Sequence, residues 1–230
     1  MKNEVNTFIF DFDSTLITKE SPEEITKVIT NNNEEFVKSI SEATKACGEG
    51  TANNTSSFVE KFRTMLKTIH VSKSNVKKAG KKFKITPGML EVLDYLRSKN
   101  QKLMIISCGF LDCFADTIKQ LGIPLENCYF NEFLYDENGR TIGFKDNILH
   151  TDNPHRKSIL INQLKEEGKI VGKCVMIGDG KNDLMTQEDN VVDYFIGFGV
   201  NCVRQVVKEN SKIYVENMVD FVKEIKKIVG

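Results

Sequence analysis

The sequence has no excess of either charge and no long apolar run. Its 32 Lys and Arg residues equal its 32 Asp and Glu residues, so the formal net charge is zero. This balance does not favour nucleic acid as a partner, and there is no acidic tail. No apolar run reaches the roughly 18 residues that a membrane-spanning helix needs. We therefore expect neither nucleic acid nor a membrane among the partners.

Patterns typical of disulfide frameworks and zinc sites are also missing. The six cysteines include no Cys-x-x-Cys pair, and the three histidines lack the spacing of a zinc site. Free thiols are typical of a reducing compartment. The segment before Asp11 is too short and too polar for a signal peptide. We therefore expect a cytoplasmic protein.

The 230 residues suffice for one large domain, or for one domain with a smaller one inserted. From Pro87 onward, short apolar runs alternate with amphipathic helical segments, and this predicts an α/β fold with a parallel sheet and helices on both faces. Between these runs and the first strand, apolar residues recur only at helical spacing. We predict a core of residues 1–17 and 83–230, with an inserted helical cap domain of residues 18–82.

Two aspartates follow the first predicted strand, in the stretch "FIFDFDSTL". Because side chains alternate along a strand, Asp11 and Asp13 should point the same way. Two neighbouring carboxylates repel one another unless another group compensates. The pair therefore indicates a site that also supplies positive charge.

Polar residues follow two further strands, as Ser107-Cys108-Gly109 and as the run from Gly178 to Asp183, and Lys157 begins a helix. Each alone could be a helix cap. Together they should meet at one edge, since ligands bind at the carboxyl ends of parallel strands.

A hard divalent cation such as Mg²⁺ would relieve the repulsion between Asp11, Asp13 and Asp179. One carboxylate of the pair could then attack phosphorus, because carboxylates form aspartyl-phosphates. Lys157 would neutralise the phosphoryl oxygens, and Ser107 would donate a hydrogen bond to them.

The motifs DxDST, a strand-end Ser, a Lys and GDGxND occur here in an order that resembles the haloacid dehalogenase (HAD) superfamily of phosphohydrolases. Longer stretches, including "ITPGMLEVLDYLRSKN" and "FIGFGVNCVRQVVKENSKIYV", resemble its phosphoserine phosphatase branch, particularly the animal-type form. The resemblance covers nearly the whole chain. It implies a HAD-like Rossmannoid sheet with an inserted helical cap, and Mg²⁺-dependent hydrolysis of O-phospho-L-serine.

The resemblance also implies roles for individual residues. Asp11 would be the nucleophile and Asp13 the general acid and base. The implied metal site consists of Asp11, the backbone carbonyl of Asp13, Asp179 and, in support, Asp183. The implied phosphate-binding residues are Ser107, Cys108, Gly109, Lys157 and Gly48. The implied substrate-binding residues are Glu20 for the serine ammonium, Arg63 for its carboxylate, Cys47 and Asn182.

Three features depart from the family pattern. Cys108 stands where Gly is common, Cys47 where Met is common, and "TDNPHRK" places His155 and Arg156 beside the site. These departures leave open another small phosphomonoester as substrate. A non-enzymatic, receiver-like phosphoacceptor is the alternative from a different class. We expect a small phosphorylated molecule as the partner. A homodimer is one possible oligomeric state.

Overall fold

The structure is a computed structural model, and it describes residues 5–51, 61, 71–151 and 153–230. Arg63 lies outside these residues. Within them, no helix combines the length and apolar character needed to cross a membrane.

Eight strands are present in the described residues: β1 (Val5–Phe10), β2 (Lys102–Phe110), β3 (Cys128–Asn131), β4 (Phe133–Tyr135), β5 (Thr141–Phe144), β6 (Lys173–Gly178), β7 (Tyr194–Phe198) and β8 (Ile213–Val215). Six of them form one sheet in the order β3-β2-β1-β6-β7-β8, and all neighbours in it are parallel. The other two, β4 and β5, form an antiparallel hairpin. The predicted parallel sheet is confirmed.

The helices of the described residues are α1 (Ser21–Ile29), α2 (Glu34–Glu49), α3 (Lys73–Gly80), α4 (Met89–Ser98), α5 (Leu111–Leu121), α6 (Arg156–Glu166), α7 (Lys181–Glu188), α8 (Gln205–Asn210) and α9 (Met218–Val229). The helices that cover the sheet contribute to two separate apolar cores. Helices α4, α5 and α9 contribute to the core that contains Phe8 and Phe10. Helices α6, α7 and α8 contribute to the core that contains Ile9. Strand β1 is apolar throughout its last residues because both of its faces are covered.

The register of the central strands aligns their carboxyl ends. Phe10, the last residue of β1, pairs with Ile105 in β2 and with Ile177 in β6. The residues that follow these positions therefore meet at one edge of the sheet, as the strand-end rule predicts.

Three helices, α1, α2 and α3, lie within the segment predicted as the cap, and α1 packs on the other two. The chain leaves and re-enters the core at adjacent points, because Ile17 bridges Ile85 and the Thr18 amide donates to the Lys84 carbonyl. Helix α3 also packs against the core helix α5. The domain boundaries at residues 18 and 82 remain a prediction.

Candidate active site

The loop after β1 places two aspartates around a buried phenylalanine. The Asp11 amide donates to the Ile177 carbonyl (2.8 Å), which continues the sheet by one residue. Phe12 is fully buried, and its ring centroid lies 4.2 Å from that of Phe114. Ser14 then takes a left-handed conformation (φ 52°) that turns the chain. Because Phe12 is anchored in the core, this loop has a fixed position beneath the cleft.

The cleft at this edge of the sheet contains ten of the residues predicted for the site. It is lined by Asp11, Asp13, Glu20, Pro22, Thr44, Cys47, Gly48, Ser107, Cys108, Arg156, Lys157, Asp179, Gly180, Asn182 and Arg204. Two predicted residues, Gly109 and Asp183, are not part of this lining. The predicted meeting of these residues at one edge of the sheet is therefore observed, and their individual roles stay predictions.

Lys157 contacts two of the predicted carboxylates at once. Its side chain is fully buried, and its Nζ lies 2.8 Å from Asp11 Oδ1 and 2.5 Å from Asp183 Oδ1. Burial alone would favour the neutral amine, but the charges of Asp11 and Asp183 outweigh it and hold the pKa of Lys157 above its ordinary value. Lys157 is therefore a permanent cation next to Asp11.

Asp11, Asp179 and Asp183 form a cluster of carboxylates. One oxygen from each lies within 4.8 Å of the others. Burial raises the pKa of Asp179 and of Asp183 to about 7, although Arg204 opposes the first shift and Lys157 the second. Three hard oxygen donors at this spacing fit a divalent cation such as Mg²⁺. The donor set therefore matches the predicted metal.

Backbone geometry holds Asp183 under this cluster. Its Oδ2 accepts a hydrogen bond from the Gly180 amide (3.0 Å) at the start of α7. A Cβ on Gly178 would lie 2.3 Å from Asp183 Cγ, so no larger residue fits at the end of β6. Asp183 thus supports the cluster from below, while Asp179 faces the cleft.

Asp13 differs from the other aspartates in its surroundings. Its Oδ2 accepts a hydrogen bond from the Ser21 hydroxyl (2.6 Å), whereas its buried Oδ1 has no partner. Burial raises the pKa of Asp13 well above its usual range, and the charges of Glu20 and Asp11 raise it further, against the Ser21 hydrogen bond. A carboxyl group whose pKa is raised in this way holds its proton more readily, and such a group can act as a general acid.

Ser107 lies at an irregular end of β2. The β2–β3 pairing shifts register between Ile106 and Phe110, which lifts the intervening residues toward the cleft. The Ser107 hydroxyl oxygen accepts a hydrogen bond from the Gly109 amide (3.0 Å). Gly109 is therefore engaged with Ser107 here, and its predicted contact with phosphate would require that amide to change partner.

Arg204 is a site residue that sequence reasoning missed. It is 5% exposed, its Nε donates to Asp179 Oδ2 (2.7 Å), and its Nη2 donates to Glu20 Oε1 (2.7 Å). A Cβ on Gly48 would lie 2.3 Å from its guanidinium, so the cap residue packs directly over it. The usable signal was its position after β7, at the same edge of the sheet.

Glu20 is consequently already paired. Besides the Arg204 guanidinium, it accepts a hydrogen bond from the Ser14 hydroxyl (2.7 Å). Burial raises the pKa of Glu20, while Arg204 and Ser14 oppose the rise. A substrate ammonium group at Glu20 would therefore share this carboxylate with Arg204.

His155 and Arg156, both expected beside the site, have different positions in the structure. Arg156 enters the cleft, where its Nε lies 2.9 Å from Cys108 Sγ and its Nη2 lies 3.5 Å from Cys47 Sγ. His155 points elsewhere, with its Nδ1 2.8 Å from Asp189 Oδ2. Adjacent residues at a helix start thus have different environments.

Comparison with known proteins indicates one enzyme family. A family model described as haloacid dehalogenase-like hydrolase matches residues 5–186. Human phosphoserine phosphatase is 31% identical over 218 residues, which cover 94% of this chain and 91% of the relative. Phosphoserine phosphatase of Methanocaldococcus jannaschii is 29% identical over 217 residues, 94% of each chain.

A solved structure extends the similarity to three dimensions. A phosphoserine phosphohydrolase-like protein from Francisella tularensis superposes with a TM-score of 0.83 at 26% identity, covering 96% of this chain and all of the other. The HAD-like fold predicted from the motifs is confirmed. Because the family model spans most of the sequence and the relatives align along nearly all of it, the chain belongs to the haloacid dehalogenase-like hydrolases.

Proposed function

We propose that the chain is a Mg²⁺-dependent phosphomonoesterase that hydrolyses O-phospho-L-serine to L-serine and phosphate through an aspartyl-phosphate. One observation carries the proposed chemistry. The Asp11 carboxylate lies in the cleft beside the Lys157 ammonium (2.8 Å), and the unpartnered Asp13 Oδ1 belongs to the same loop. The similarity to phosphoserine phosphatases supports the substrate.

In the first step, a carboxylate oxygen of Asp11 attacks phosphorus and the bond from phosphorus to the seryl oxygen breaks. Asp13 gives its proton to the departing oxygen. Lys157 stays charged beside the phosphoryl group, and the Ser107 hydroxyl donates a hydrogen bond to it. In the second step, Asp13 removes a proton from water, which attacks the aspartyl-phosphate and releases phosphate.

The residues that would hold Mg²⁺ are Asp11, Asp179 and Asp183, with the backbone carbonyl of Asp13 as a further proposed donor. When bound, the ion neutralises negative charge on the phosphoryl oxygens. The fit of three clustered carboxylates supports this cofactor.

For the rest of the substrate, we propose Glu20 as the partner of the serine ammonium and an arginine as the partner of its carboxylate, for which the family resemblance implies Arg63. Cys47, Gly48, Cys108 and Asn182 would surround the substrate. Glu20 and Asn182 line the cleft, as do the two cysteines and Gly48. A cytoplasmic location and a role in serine biosynthesis complete the proposal.

A different small phosphomonoester is the second candidate, and the Arg156–Cys108 contact favours it because the family commonly has glycine at position 108. A receiver-like phosphoacceptor is disfavoured by Asp13, whose free oxygen next to the nucleophile suits rapid hydrolysis.

Phosphate release from a panel of phosphorylated metabolites tests the proposed function. We expect the purified chain with Mg²⁺ to hydrolyse O-phospho-L-serine with the highest kcat/KM of the panel, and L-serine to appear in equal amount. An Asp11→Asn preparation serves as the control for contaminating phosphatases. A clear preference for another compound would contradict the substrate, and no hydrolysis at all would contradict the activity.

We expect the metal-free protein to lose stability as pH rises from about 4 to about 7, and Mg²⁺ to restore it. The pKa of Asp179 and of Asp183 is about 7 in the folded chain, and their ordinary value is 3.8. Between these values the folded chain binds more protons than the unfolded chain, so the free energy of unfolding falls as pH rises. Mg²⁺ needs the ionised carboxylates, and it stabilises the fold that holds them.

Thermal melts in EDTA or MgCl₂ at about pH 5.5 and about pH 8 measure this effect, and Mg²⁺ should raise Tm more at the higher pH. NaCl at matched ionic strength is the control. An equal Mg²⁺ shift at both pH values would argue against protons and metal competing for these carboxylates.

A further inference from the structure

Arg156 is held rigidly at the first turn of α6. Its side chain is 6% exposed and lines the cleft. Its Nη1 donates to the backbone carbonyls of Thr151 (2.9 Å) and Asn153 (3.2 Å). Both bonds are donated by Nη1, so they orient the guanidinium and leave Nε and Nη2 for other partners.

Among the residues that the structure describes, the other partners of the guanidinium are both sulfur atoms. Nε approaches Cys108 Sγ and Nη2 approaches Cys47 Sγ, and thiols are weak hydrogen-bond acceptors. Among the described residues, no carboxylate forms an ion pair with Arg156. A buried charge without an anionic partner is costly, so this edge suits an anion supplied from outside the chain.

The thiols leave the positive charge of Arg156 available. Burial raises the pKa of Cys108, although Arg156 and Lys157 oppose the rise, so the thiol remains protonated at neutral pH. A thiolate would have neutralised the guanidinium, whereas a neutral thiol is easily displaced by a stronger acceptor.

Arg156 faces a different part of the cleft from Lys157. Lys157 reaches Asp11 and Asp183, at the centre where phosphorus would react. Arg156 lies between Cys108, which follows Ser107 at the end of β2, and Cys47, which belongs to the cap helix α2. An anion at Arg156 therefore lies on the cap side of the phosphoryl group, where the leaving group would extend.

We propose that Arg156 is a specificity-determining residue that binds a carboxylate on the leaving group of the substrate. A guanidinium edge matches the two oxygens of a carboxylate with two parallel hydrogen bonds. This proposal rests on the proposed phosphomonoesterase function, and for phosphoserine it assigns the carboxylate to the core residue Arg156 instead of to Arg63. It makes the enzyme selective for phosphate esters that carry a carboxylate over analogues that lack it.

Two pairs of substrates that differ only in the carboxylate test this assignment. One pair is O-phospho-L-serine and O-phosphoethanolamine, and the other is phosphoglycolate and methyl phosphate. We expect the unaltered chain to prefer the acid of each pair it hydrolyses. Arg156→Gln should lower kcat/KM for the compound with the carboxylate by about 10- to 100-fold, mainly through KM, with a far smaller change for the analogue that lacks it. The preference within the pair therefore collapses.

Three further variants sharpen the test. Arg156→Lys keeps the charge but loses the two-pronged geometry, so it should retain only part of the preference. Arg140→Gln, an exposed arginine on the hairpin, should retain all of it. Arg63→Gln should retain the preference if Arg156 alone binds the carboxylate. Thermal melts confirm that each variant is folded.

Several outcomes would overturn the proposal. An equal loss of kcat/KM for both members of a pair in Arg156→Gln would indicate a structural or phosphoryl-binding role. A retained preference for the carboxylate would show that Arg156 does not bind it. A preference that collapses only in Arg63→Gln would assign the carboxylate to the cap. If the chain hydrolyses phosphoglycolate but not phosphoserine, the proposed substrate fails while the second pair still tests Arg156. Hydrolysis of no compound in either pair contradicts both proposals.

Discussion

Replacing Asp11 by Asn is expected to reduce kcat by about 10⁴-fold or more, because an amide oxygen is too weak a nucleophile to attack phosphorus. The substitution barely changes the size of the side chain, and Lys157 keeps its contact with Asp183. It also removes one charge from the carboxylate cluster. We therefore expect a circular dichroism spectrum and a Tm close to those of the unaltered chain.

Asp116→Asn provides the matched control, since Asp116 is exposed on α5 and is not part of the cleft lining. Acid quenching during turnover, followed by mass spectrometry of the Asp11 peptide, should detect an added phosphoryl group in the unaltered chain and none in Asp11→Asn. Undiminished activity of Asp11→Asn would disprove the nucleophile assignment. A long-lived phosphoryl group on Asp11 without turnover would favour the receiver-like alternative.

Replacing Asp13 by Asn is expected to separate the two chemical steps. With an alkyl phosphate such as phosphoserine, kcat should fall by about 10²- to 10⁴-fold, because no side chain then protonates the leaving oxygen. With p-nitrophenyl phosphate the leaving group needs no proton, so Asp11 is still phosphorylated. Water attack is slow without a base, and the phosphorylated chain accumulates.

Rapid mixing of Asp13→Asn with p-nitrophenyl phosphate should therefore give a burst of one nitrophenolate per protein molecule, followed by slow turnover. The double variant Asp11→Asn with Asp13→Asn should give no burst, which is the control. Steady turnover at the original rate would show that Asp13 has no proton-transfer role.

The Arg204 contacts change how substrate binding is understood. Arg204 joins Asp179 in the carboxylate cluster to Glu20 at the cap side of the cleft, through two bonds of 2.7 Å. A ligand ammonium at Glu20 would therefore alter the surroundings of Asp179 as well. Binding of substrate and binding of metal should affect each other through this single side chain.

Local sequence patterns were sufficient for the sheet and for the residues at its edge. Runs such as "FIF" and "KCVMI" are apolar at successive positions because helices cover both faces of the sheet. Parallel pairing then brings their carboxyl ends together, so Asp11, Ser107 and Asp179 had to meet. These positions follow from the order of strands and the period of their side chains.

Orientation at helix starts was not predictable in the same way. His155 and Arg156 are neighbours in the chain, yet only Arg156 enters the cleft, and His155 pairs with Asp189. Successive helical side chains diverge by about 100°, so the choice depends on where α6 begins. The sequence "TDNPHRK" does not fix that point to within one residue.

The sequence by itself determined which carboxylates meet in the cleft, because the motifs place Asp11, Asp13 and Asp179 after neighbouring parallel strands. Only the tertiary structure decided the pairing among these charges. Glu20 meets Arg204 across 184 positions, and Arg156 meets Cys47 across 109. Such contacts depend on how the cap helices pack over the sheet, and neither the periodicity nor a local motif predicts that packing.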